Sequence, residues 1–310
     1  MTTQNHTLDF LNGRAILTDG GLETTLVFHE GIDLPAFAAF PLLDTPEGRE
    51  QLARYYRRYI ALAEANGRGL LLETPTWRAH ADWGPMLGYS PAELDRVNRY
   101  AVRWLRDLMP DSDRPHVVGG NIGPRGDGYV LDAVMSAEEA ERYHSTQVTS
   151  LASAGADLIS AYTIGYSDEA IGIVRAAHGC RMPSVMSFTV ETDGRLPSGE
   201  ALGEAIARVD AATDGGPAYY MINCAHPSHF RHVLEDSSGW HLRIRGLRAN
   251  ASCRSHAELD EATELDAGDP HALALDYEQL RTDLPALRVI GGCCGTDHRH
   301  VAAISAAFAG

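Results

Sequence analysis

Eight short apolar runs rich in Val, Ile and Leu alternate along the chain with longer segments of helical period, and this alternation restricts the possible folds. The runs lack the strict apolar–polar alternation of half-exposed strands, which is typical of parallel strands buried on both faces. The predicted strands are residues 15–19, 69–73, 116–120, 157–162, 184–189, 218–223, 241–246 and 287–291. Eight strand–helix units in 310 residues predict an α/β fold, a single (β/α)8 TIM barrel formed by one domain of residues 1–310. An open doubly wound sheet is the alternative.

The helical segments carry recognisable start and stop signals. Helix N-termini are expected at Thr45 before Pro46, at Ser90 with Glu93, and at Ser136 with Glu139. Gly67, Gly155 and Gly179 are typical of helix C-termini. Because the active site of such a barrel lies where its strands end, the long loops 22–44 and 249–269 are expected to line it.

The composition excludes several classes of function. The formal net charge of −16 disfavours a nucleic-acid partner, because phosphate binding needs a basic face. All 26 basic residues are arginine, so enzymes that need a lysine amine, such as Schiff-base aldolases and P-loop enzymes, are excluded. No apolar run approaches the ~20 residues that span a bilayer, and the polar N-terminus lacks the features of a secretory signal. We therefore expect a cytoplasmic protein with no membrane partner.

The five cysteines are an odd number, which indicates thiols or metal ligands in a reducing compartment rather than a disulfide framework. Cys224 ends the sixth predicted strand, while Cys293 and Cys294 end the eighth, so all three are expected on one face. The glycines of the GGCCGT segment allow the backbone to bend, so that neighbouring cysteines share one target. Three thiolates with one open position predict a tetrahedral zinc site. Cys180 and Cys253 are expected to pack as small core residues.

The sequence leaves alternatives to an open zinc site. A fourth ligand, for which His226, His229 and His256 are candidates, would make the site a closed structural one. Cys293 and Cys294 would form a redox pair if the protein stores zinc or senses thiol oxidation without catalysis. A zinc hydrolase would place water in the open position, but three thiolates make zinc a poor Lewis acid. A soft substrate thiol suits the open position best, and its thiolate would attack a methyl carbon that bears a positively charged leaving group.

Five segments match the motifs of one enzyme family. They are DGGLETTL at 19–26, GGNIGPRGDGY at 119–129, SFTVETDGRLPSG at 187–199, INCAHP at 222–227 and GGCCGT at 291–296. On these motifs the chain resembles the homocysteine S-methyltransferases over nearly its whole length. The resemblance implies a (β/α)8 barrel, zinc held by Cys224, Cys293 and Cys294, homocysteine as methyl acceptor, and Asp19 near the substrate amino group.

The fourth predicted strand departs from the family pattern. Many family members carry glutamate before threonine at the end of this strand, where the glutamate holds the homocysteine amino group, but this chain has Tyr162 before Thr163. A tyrosine hydroxyl accepts a hydrogen bond from an ammonium group but brings no negative charge. Glu23, Glu73 and Glu191 are candidates to supply that charge. The predicted substrate-binding residues are Asp19, Glu23, Tyr162, Thr163 and Asn223.

The methyl donor is expected to be a free sulfonium or ammonium compound, because the chain leaves no room for cobalamin or folate domains after the eighth unit. S-methylmethionine is the first choice, which would make the reaction a step of methionine biosynthesis; betaine or another onium donor, and another thiol or selenol as acceptor, are alternatives. Trp77, Trp83 and Tyr129 lie near predicted strand ends and are candidates to face the donor cation through their rings. A homo-oligomer is compatible with the sequence.

Overall fold

The eight strands close into one parallel barrel whose strand order follows the chain. The computed structural model describes residues 6–131, 134–235, 238–262 and 264–309, with backbone only for His6, Thr7 and Asp260. The strands are β1 Ile16–Leu17, β2 Leu70–Glu73, β3 His116–Ile122, β4 Leu158–Ile164, β5 Ser184–Phe188, β6 Pro217–Asn223, β7 Ile244–Ala249 and β8 Val289–Gly292. β8 pairs with β1 through Ile16 opposite Val289, which closes the barrel. The (β/α)8 prediction is therefore confirmed, and the open doubly wound sheet is excluded.

A helix follows each strand and packs on the outside of the barrel. These helices are Pro46–Ala65, Pro91–Leu108, Ala137–Ser153, Ser167–Gly179, Leu202–Thr213, Pro227–Phe230, Pro270–Asp283 and His298–Ala307. The sixth is a single turn that continues as the 3-10 turn Arg231–Glu235. Shorter helical turns lie in the loops at His6–Asn12, Leu22–Thr24, Thr25–His29, Pro35–Phe37, Phe40–Asp44, Trp83–Met86, Trp240–Arg243 and His256–Asp260. That residues 1–310 form one domain stays a prediction.

The apolar side chains divide into two clusters on the two faces of the sheet. The larger cluster lies between the strands and the outer helices. The smaller one fills the barrel interior and includes Leu71, Leu158, Tyr162, Tyr219 and Met221. Phe10 of the N-terminal turn belongs to this smaller cluster and packs edge-on against Tyr219, with 6.5 Å between ring centroids. Polar side chains are consequently left to the carboxyl ends of the strands.

The predicted helix starts are confirmed by their hydrogen bonds. Thr45 Oγ1 accepts from the Gly48 amide at 3.0 Å, and both Ser90 and Ser136 form capping boxes. Gly155 follows its helix with φ +92°, as expected for a C-terminal stop. The predicted helix end at Gly179 is confirmed, since Gly179 is the last residue of its helix, and the left-handed position that follows belongs to Arg181 at φ +58°.

Two local predictions were wrong. The seventh strand runs from Ile244 to Ala249 rather than over 241–246, because the residues before it form the turn Trp240–Arg243. Cys253 is exposed rather than packed in the core. Cys180 is half-buried and packs against the larger apolar cluster, as predicted.

None of the described helices has both the length and the apolar composition needed to cross a membrane.

Candidate metal and substrate site

Three cysteine thiols meet at the carboxyl end of the barrel. Cys224 follows β6, and Cys293 and Cys294 follow β8. Their sulfur atoms all lie within 4.8 Å of one another, with 3.3 Å between the Sγ atoms of Cys224 and Cys294. A tetrahedral zinc with three thiolate ligands separates its sulfurs by about 3.8 Å, so the geometry and the soft donor set both fit zinc.

The backbone bends sharply at each of these cysteines. Cys224 itself adopts φ +57°, a left-handed conformation that is uncommon for a residue with a side chain and marks a functional turn. β8 ends at Gly292, and the turn at Cys294 continues through Gly295 at φ +77°. These bends bring the side chains of two adjacent residues to the same point, which a continuing strand would not allow.

Polar groups from the loop after β3 and from the end of β6 contact the thiols. The Tyr129 hydroxyl donates to Cys224 Sγ at 2.7 Å, and Asn223 Nδ2 lies 3.9 Å from Cys293 Sγ. Hydrogen bonds from the Cys224 and Cys294 thiols, together with the nearby Arg248 cation, hold the pKa of Cys293 well below its usual range. The pocket therefore favours thiolate at Cys293 even before a metal is bound.

Replacing Tyr129 by phenylalanine is expected to weaken metal binding without abolishing it. The substitution removes only the hydroxyl that donates to Cys224 Sγ, and loss of an outer hydrogen bond to a metal ligand typically costs 10- to 100-fold in metal affinity. Competition with a zinc chelator measures the change. A Tyr89→Phe variant is the matched control, because the Tyr89 hydroxyl binds Asp44 away from the thiols; equal zinc affinity in both variants would contradict this role of Tyr129.

The three candidate histidines do not join the sulfur cluster. His229 Nε2 lies 2.8 Å from the Cys253 carbonyl, and His226 is hydrogen-bonded to Ser228. His256 stacks on the Tyr129 ring with 3.7 Å between centroids, and burial lowers its pKa to about 4. Among the described residues the group that could hold a metal consists of the three cysteines.

Two connected cavities adjoin the thiols. A cleft of about 460 Å³ is lined by all three cysteines, and a smaller inner cavity of about 70 Å³ lies beside Cys293 and Cys294. The cleft is also lined by four of the predicted substrate-binding residues, Glu23, Tyr162, Thr163 and Asn223, whereas the fifth, Asp19, lines the inner cavity. Parts of both long loops, 22–44 and 249–269, form the cleft wall, as predicted. Glu191 is not among the described residues that line either cavity.

Asp19 is held in a buried ion pair. Arg248 of β7 binds Asp19 Oδ1 at 2.7 Å, and the Tyr55 hydroxyl donates to Oδ2 at 2.9 Å. The Arg248 guanidinium also donates to the carbonyls of Gly20 and Gly292. Burial alone would lower the pKa of Arg248, but the Asp19 carboxylate raises it above its usual range. The negative charge of Asp19 is therefore already neutralised inside the protein.

Thr163 and Asn223 bind each other across the barrel. The Thr163 amide donates to Asn223 Oδ1 at 2.9 Å, and Asn223 Nδ2 donates to Thr163 Oγ1 at 2.9 Å. Ser187 Oγ donates to the same Asn223 oxygen at 2.7 Å. This network fixes Thr163 at φ +63° and places Asn223 directly before Cys224. Direct substrate contact by this pair stays a prediction.

Two carboxyl groups in the cavities have strongly perturbed acidity. Burial raises the pKa of Glu73, which lies at the end of β2, from 4.5 to about 7. Burial also raises the pKa of Glu23 to about 7, and the neighbouring Cys293 and Asp19 charges add to the shift. Both groups therefore favour binding of a positive charge, which would return their pKa values toward normal.

A Glu73→Gln protein is expected to be more stable than the wild type at high pH. Because the folded-state pKa of Glu73 is raised from 4.5 to about 7, folding opposes its ionisation, and the wild type loses stability as pH rises between these values. The expected gain is on the order of 2–3 kcal/mol at pH 8 and near zero at pH 4. Urea unfolding of both metal-free proteins at the two pH values measures it; a gain that is equal at both pH values would contradict the assignment.

The three predicted donor-binding aromatics occupy different positions. Trp77 and Tyr129 line the cleft, but Trp83 is not among its described lining residues. The Arg78 guanidinium lies over the Trp77 ring at 4.2 Å and over the Trp83 ring at 3.6 Å. One face of each tryptophan is thus already covered by a cation, and one face of Tyr129 is covered by His256. Donor binding by these rings stays a prediction.

Two buried arginines of the site, Arg78 and Arg248, were not among the residues predicted from the sequence. Arg248 lies within a run of buried strand residues, and an arginine at such a position is itself a sign of an internal partner. Arg78 lies in the loop after β2, where an arginine normally indicates a solvent-exposed position; nothing in the local sequence marks it as buried.

A closed (β/α)8 barrel with three convergent thiols at the carboxyl ends of β6 and β8 defines a barrel enzyme of the metal-thiolate class. The family model for homocysteine S-methyltransferase matches residues 16–308. The chain belongs to the homocysteine S-methyltransferase family.

Characterised relatives share modest identity with this chain. Homocysteine S-methyltransferase 3 of Zea mays is 26% identical over 328 residues, covering 96% of this chain and 90% of that protein. Selenocysteine Se-methyltransferase of Brassica oleracea var. italica is 24% identical, covering 94% and 88%. Homocysteine S-methyltransferase of Escherichia coli strain K12 is 28% identical over 200 residues, an alignment that spans 62% of that enzyme.

Solved structures share the fold. The oxidized form of the homocysteine methyltransferase MmuM from Escherichia coli superimposes with a TM-score of 0.77 at 21% identity, covering 97% of this chain and 99% of that one. Its metallated form gives a TM-score of 0.75 at 23% identity with the same coverage.

Proposed function

We propose that this protein binds zinc through Cys224, Cys293 and Cys294 and transfers a methyl group from a sulfonium donor to the thiol of homocysteine. The observation that carries the proposal is the cluster of three thiols on the wall of a large cleft, with no fourth ligand among the described residues. The names of the relatives, which act on homocysteine or selenocysteine, support the choice of acceptor. Three free thiols need a reducing compartment, which supports a cytoplasmic location.

In the proposed reaction the protein's residues bind and orient the thiol and the methyl donor. They do not act as acids or bases at the methyl carbon. Zinc, when bound, lowers the pKa of a coordinated thiol and keeps the thiolate nucleophilic at neutral pH. Tyr129 and Asn223 orient the cysteine ligands through hydrogen bonds. In the reaction the homocysteine sulfur forms a bond to the methyl carbon while the bond from that carbon to the sulfonium sulfur breaks, giving methionine and a neutral thioether. No general base is required at the methyl carbon.

The charge of the cleft favours a cationic donor. Its described lining residues include four carboxylates, which belong to Glu23, Asp127, Glu264 and Asp266. Two guanidinium groups face the same cleft: Arg248 is paired with Asp19, and Arg78 lies 3.9 Å from Asp127. Asp266 lies 3.7 Å from Arg254. The carboxylates of Glu23 and Glu264 are left beyond these pairs, and their negative charge attracts an onium compound and raises its local concentration. We place S-methylmethionine first among the donors, with betaine and other onium compounds next.

The test is a donor panel with the zinc-loaded protein. Homocysteine is mixed with S-methylmethionine, betaine, S-adenosylmethionine or a dimethylsulfonium salt, and methionine is quantified against a metal-stripped control. Zinc-dependent methionine formation, fastest with S-methylmethionine, is the expected result. Absence of methionine with every donor would overturn the proposal, and faster reaction with betaine would overturn the choice of donor alone.

Selenocysteine or its homologue is a second candidate acceptor. A relative that covers most of this chain is named for selenocysteine methylation, and a selenolate is as soft a ligand as a thiolate. Competition between homocysteine and selenocysteine in the same assay separates the two acceptors.

A further inference from the structure

The proposed acceptor brings a positive charge that the fourth strand does not neutralise. Homocysteine carries an ammonium group, and Tyr162 stands where many family members have a glutamate. Asp19 does not fill the gap, because Arg248 already balances its charge and its oxygens also accept hydrogen bonds from Tyr55 and Thr18. An ammonium group that enters the cavity without a carboxylate partner would bear a large desolvation cost. Another carboxylate is therefore needed.

Glu73 supplies a carboxylate in the inner cavity beside Tyr162. The Tyr162 hydroxyl donates to Glu73 Oε1 at 3.2 Å, so the carboxylate lies one hydrogen bond from the side chain that replaces the family glutamate. The Glu73 side chain is 3% exposed and lines the inner cavity with Cys293. Its Oε2 atom lacks a well-aligned hydrogen-bond partner among the described residues. The nearby Ser160 hydroxyl interacts with the carboxylate and offsets part of the rise in its pKa that burial causes. A bound cation would compensate the rest of the cost of burying this carboxylate.

The surrounding chain makes room for this carboxylate. A Cβ atom on Gly119 of β3, which is paired with Glu73, would lie 2.1 Å from Glu73 Oε2. Any side chain at residue 119 would therefore displace the carboxylate. On the other side the Tyr56 hydroxyl donates to the Glu73 carbonyl at 2.8 Å and fixes the end of β2.

Glu23 is the competing carboxylate. It follows β1 in the turn Leu22–Thr24 and lines both the cleft and the inner cavity, which places it between the donor and the acceptor. Glu73 lines the inner cavity but is not among the described residues of the larger cleft. Glu73 is thus set behind Tyr162 as seen from the larger cleft, and it contacts this residue at the family's ammonium-binding position.

We propose that Glu73 binds the ammonium group of the acceptor thiol, so that the carboxylate for amino-acid recognition comes from β2 in this chain instead of β4. This inference rests on the proposed function and specifies its acceptor as an amino-acid thiol. Tyr162 is a positioning residue, since its hydroxyl orients the Glu73 carboxylate.

The test compares two thiols that differ only in the ammonium group. Homocysteine and 4-mercaptobutanoate are titrated calorimetrically into the zinc-loaded protein without a donor, so that binding is measured apart from turnover. The wild type is expected to bind homocysteine about 10- to 100-fold more tightly, as for a charge-assisted hydrogen bond. Glu73→Gln is expected to reduce this ratio to about 1 to 3, while Glu191→Gln, the same change outside the cavities, leaves it unaltered.

A rescue variant guards against an indirect effect of the substitution. Adding Tyr162→Glu to Glu73→Gln returns a carboxylate to the fourth strand, and the preference for homocysteine is expected to recover. Equal binding of the two thiols by the wild type, or loss of the preference in Glu23→Gln but not in Glu73→Gln, would overturn this inference and leave the proposed function intact. Failure of the wild type to bind either thiol would overturn both.

Discussion

Replacing Cys294 by alanine is expected to remove the bound zinc and to lower methyl transfer by at least about a thousandfold. Cys294 Sγ lies 3.3 Å from Cys224 Sγ and belongs to the three-sulfur cluster. Binding energies of zinc in thiolate-rich sites are about 10–16 kcal/mol, and loss of one of three protein ligands removes a large share of that affinity. The remaining two thiolates would hold zinc too weakly to survive dialysis, and the acceptor thiol would keep its proton at neutral pH.

The measurement pairs zinc content by atomic absorption with methionine formation. Cys253→Ala is the matched control, because Cys253 is exposed and stands outside the sulfur cluster. It should keep full zinc and full activity. A Cys294→Ala protein that retained one zinc and normal turnover would show that the cluster is not the catalytic centre.

Removing the positive charge of Arg248 is expected to cause the largest loss of stability among single substitutions in the site. Arg248→Met would leave the Asp19 carboxylate buried without its 2.7 Å partner. It would also take donors from the carbonyls of Gly20 and Gly292. Breaking a buried ion pair by removing one partner costs about 3–5 kcal/mol. The free energy of unfolding in urea at pH 7 measures the loss.

Two further proteins identify the cause of that loss. Arg245→Met makes the same chemical change in β7, but Arg245 is only half-buried, and within the described part of the chain its guanidinium makes a single 3.4 Å hydrogen bond, to the Leu11 carbonyl. A loss below about 1 kcal/mol is expected there. Adding Asp19→Asn to Arg248→Met removes the stranded charge and should restore part of the stability. If the double variant were less stable than Arg248→Met, the ion pair would not be the source of the effect.

The structural features that depend on residues close together in the sequence could be predicted from it. The cap at Thr45 and the capping boxes at Ser90 and Ser136 involve residues within a few positions of one another, and each is confirmed. The buried strand runs are confirmed in number and order, with the seventh displaced along the chain. The convergence of Cys224 with Cys293 and Cys294 also followed from local information, because strand ends of a parallel barrel meet at one face.

The charges inside the barrel depend on distant partners and were not predictable in this way. Arg248 is tolerated in a buried strand because Asp19, on the other side of the closure, pairs with it. β7 was placed three residues too early, because residues Trp240–Arg243 form a helical turn before the strand. The Asp19 position was expected from the family resemblance, but its partner was not.

The proposed transfer of ammonium binding from β4 to Glu73 of β2 could be predicted only in part from the sequence. The sequence showed that Tyr162 lacks the charge of the family glutamate and left three glutamates as candidates. Distances in the folded chain separate these candidates, because Tyr162 contacts Glu73 whereas Glu191 lies outside both cavities among the described residues. For Trp83 the sequence position was misleading. Its position near a predicted strand end suggested donor binding, but in the folded chain Arg78 covers one face of its ring.

X-ray absorption spectroscopy at the zinc edge, recorded with and without homocysteine, tests the central claim most directly. The account predicts three sulfur neighbours at about 2.3 Å and one lighter atom in the free protein, and four sulfur neighbours once homocysteine is added. The Cys253→Ala protein should give the same pair of spectra. A free protein with a histidine nitrogen in the fourth position that homocysteine does not displace would contradict the account and indicate a closed structural site.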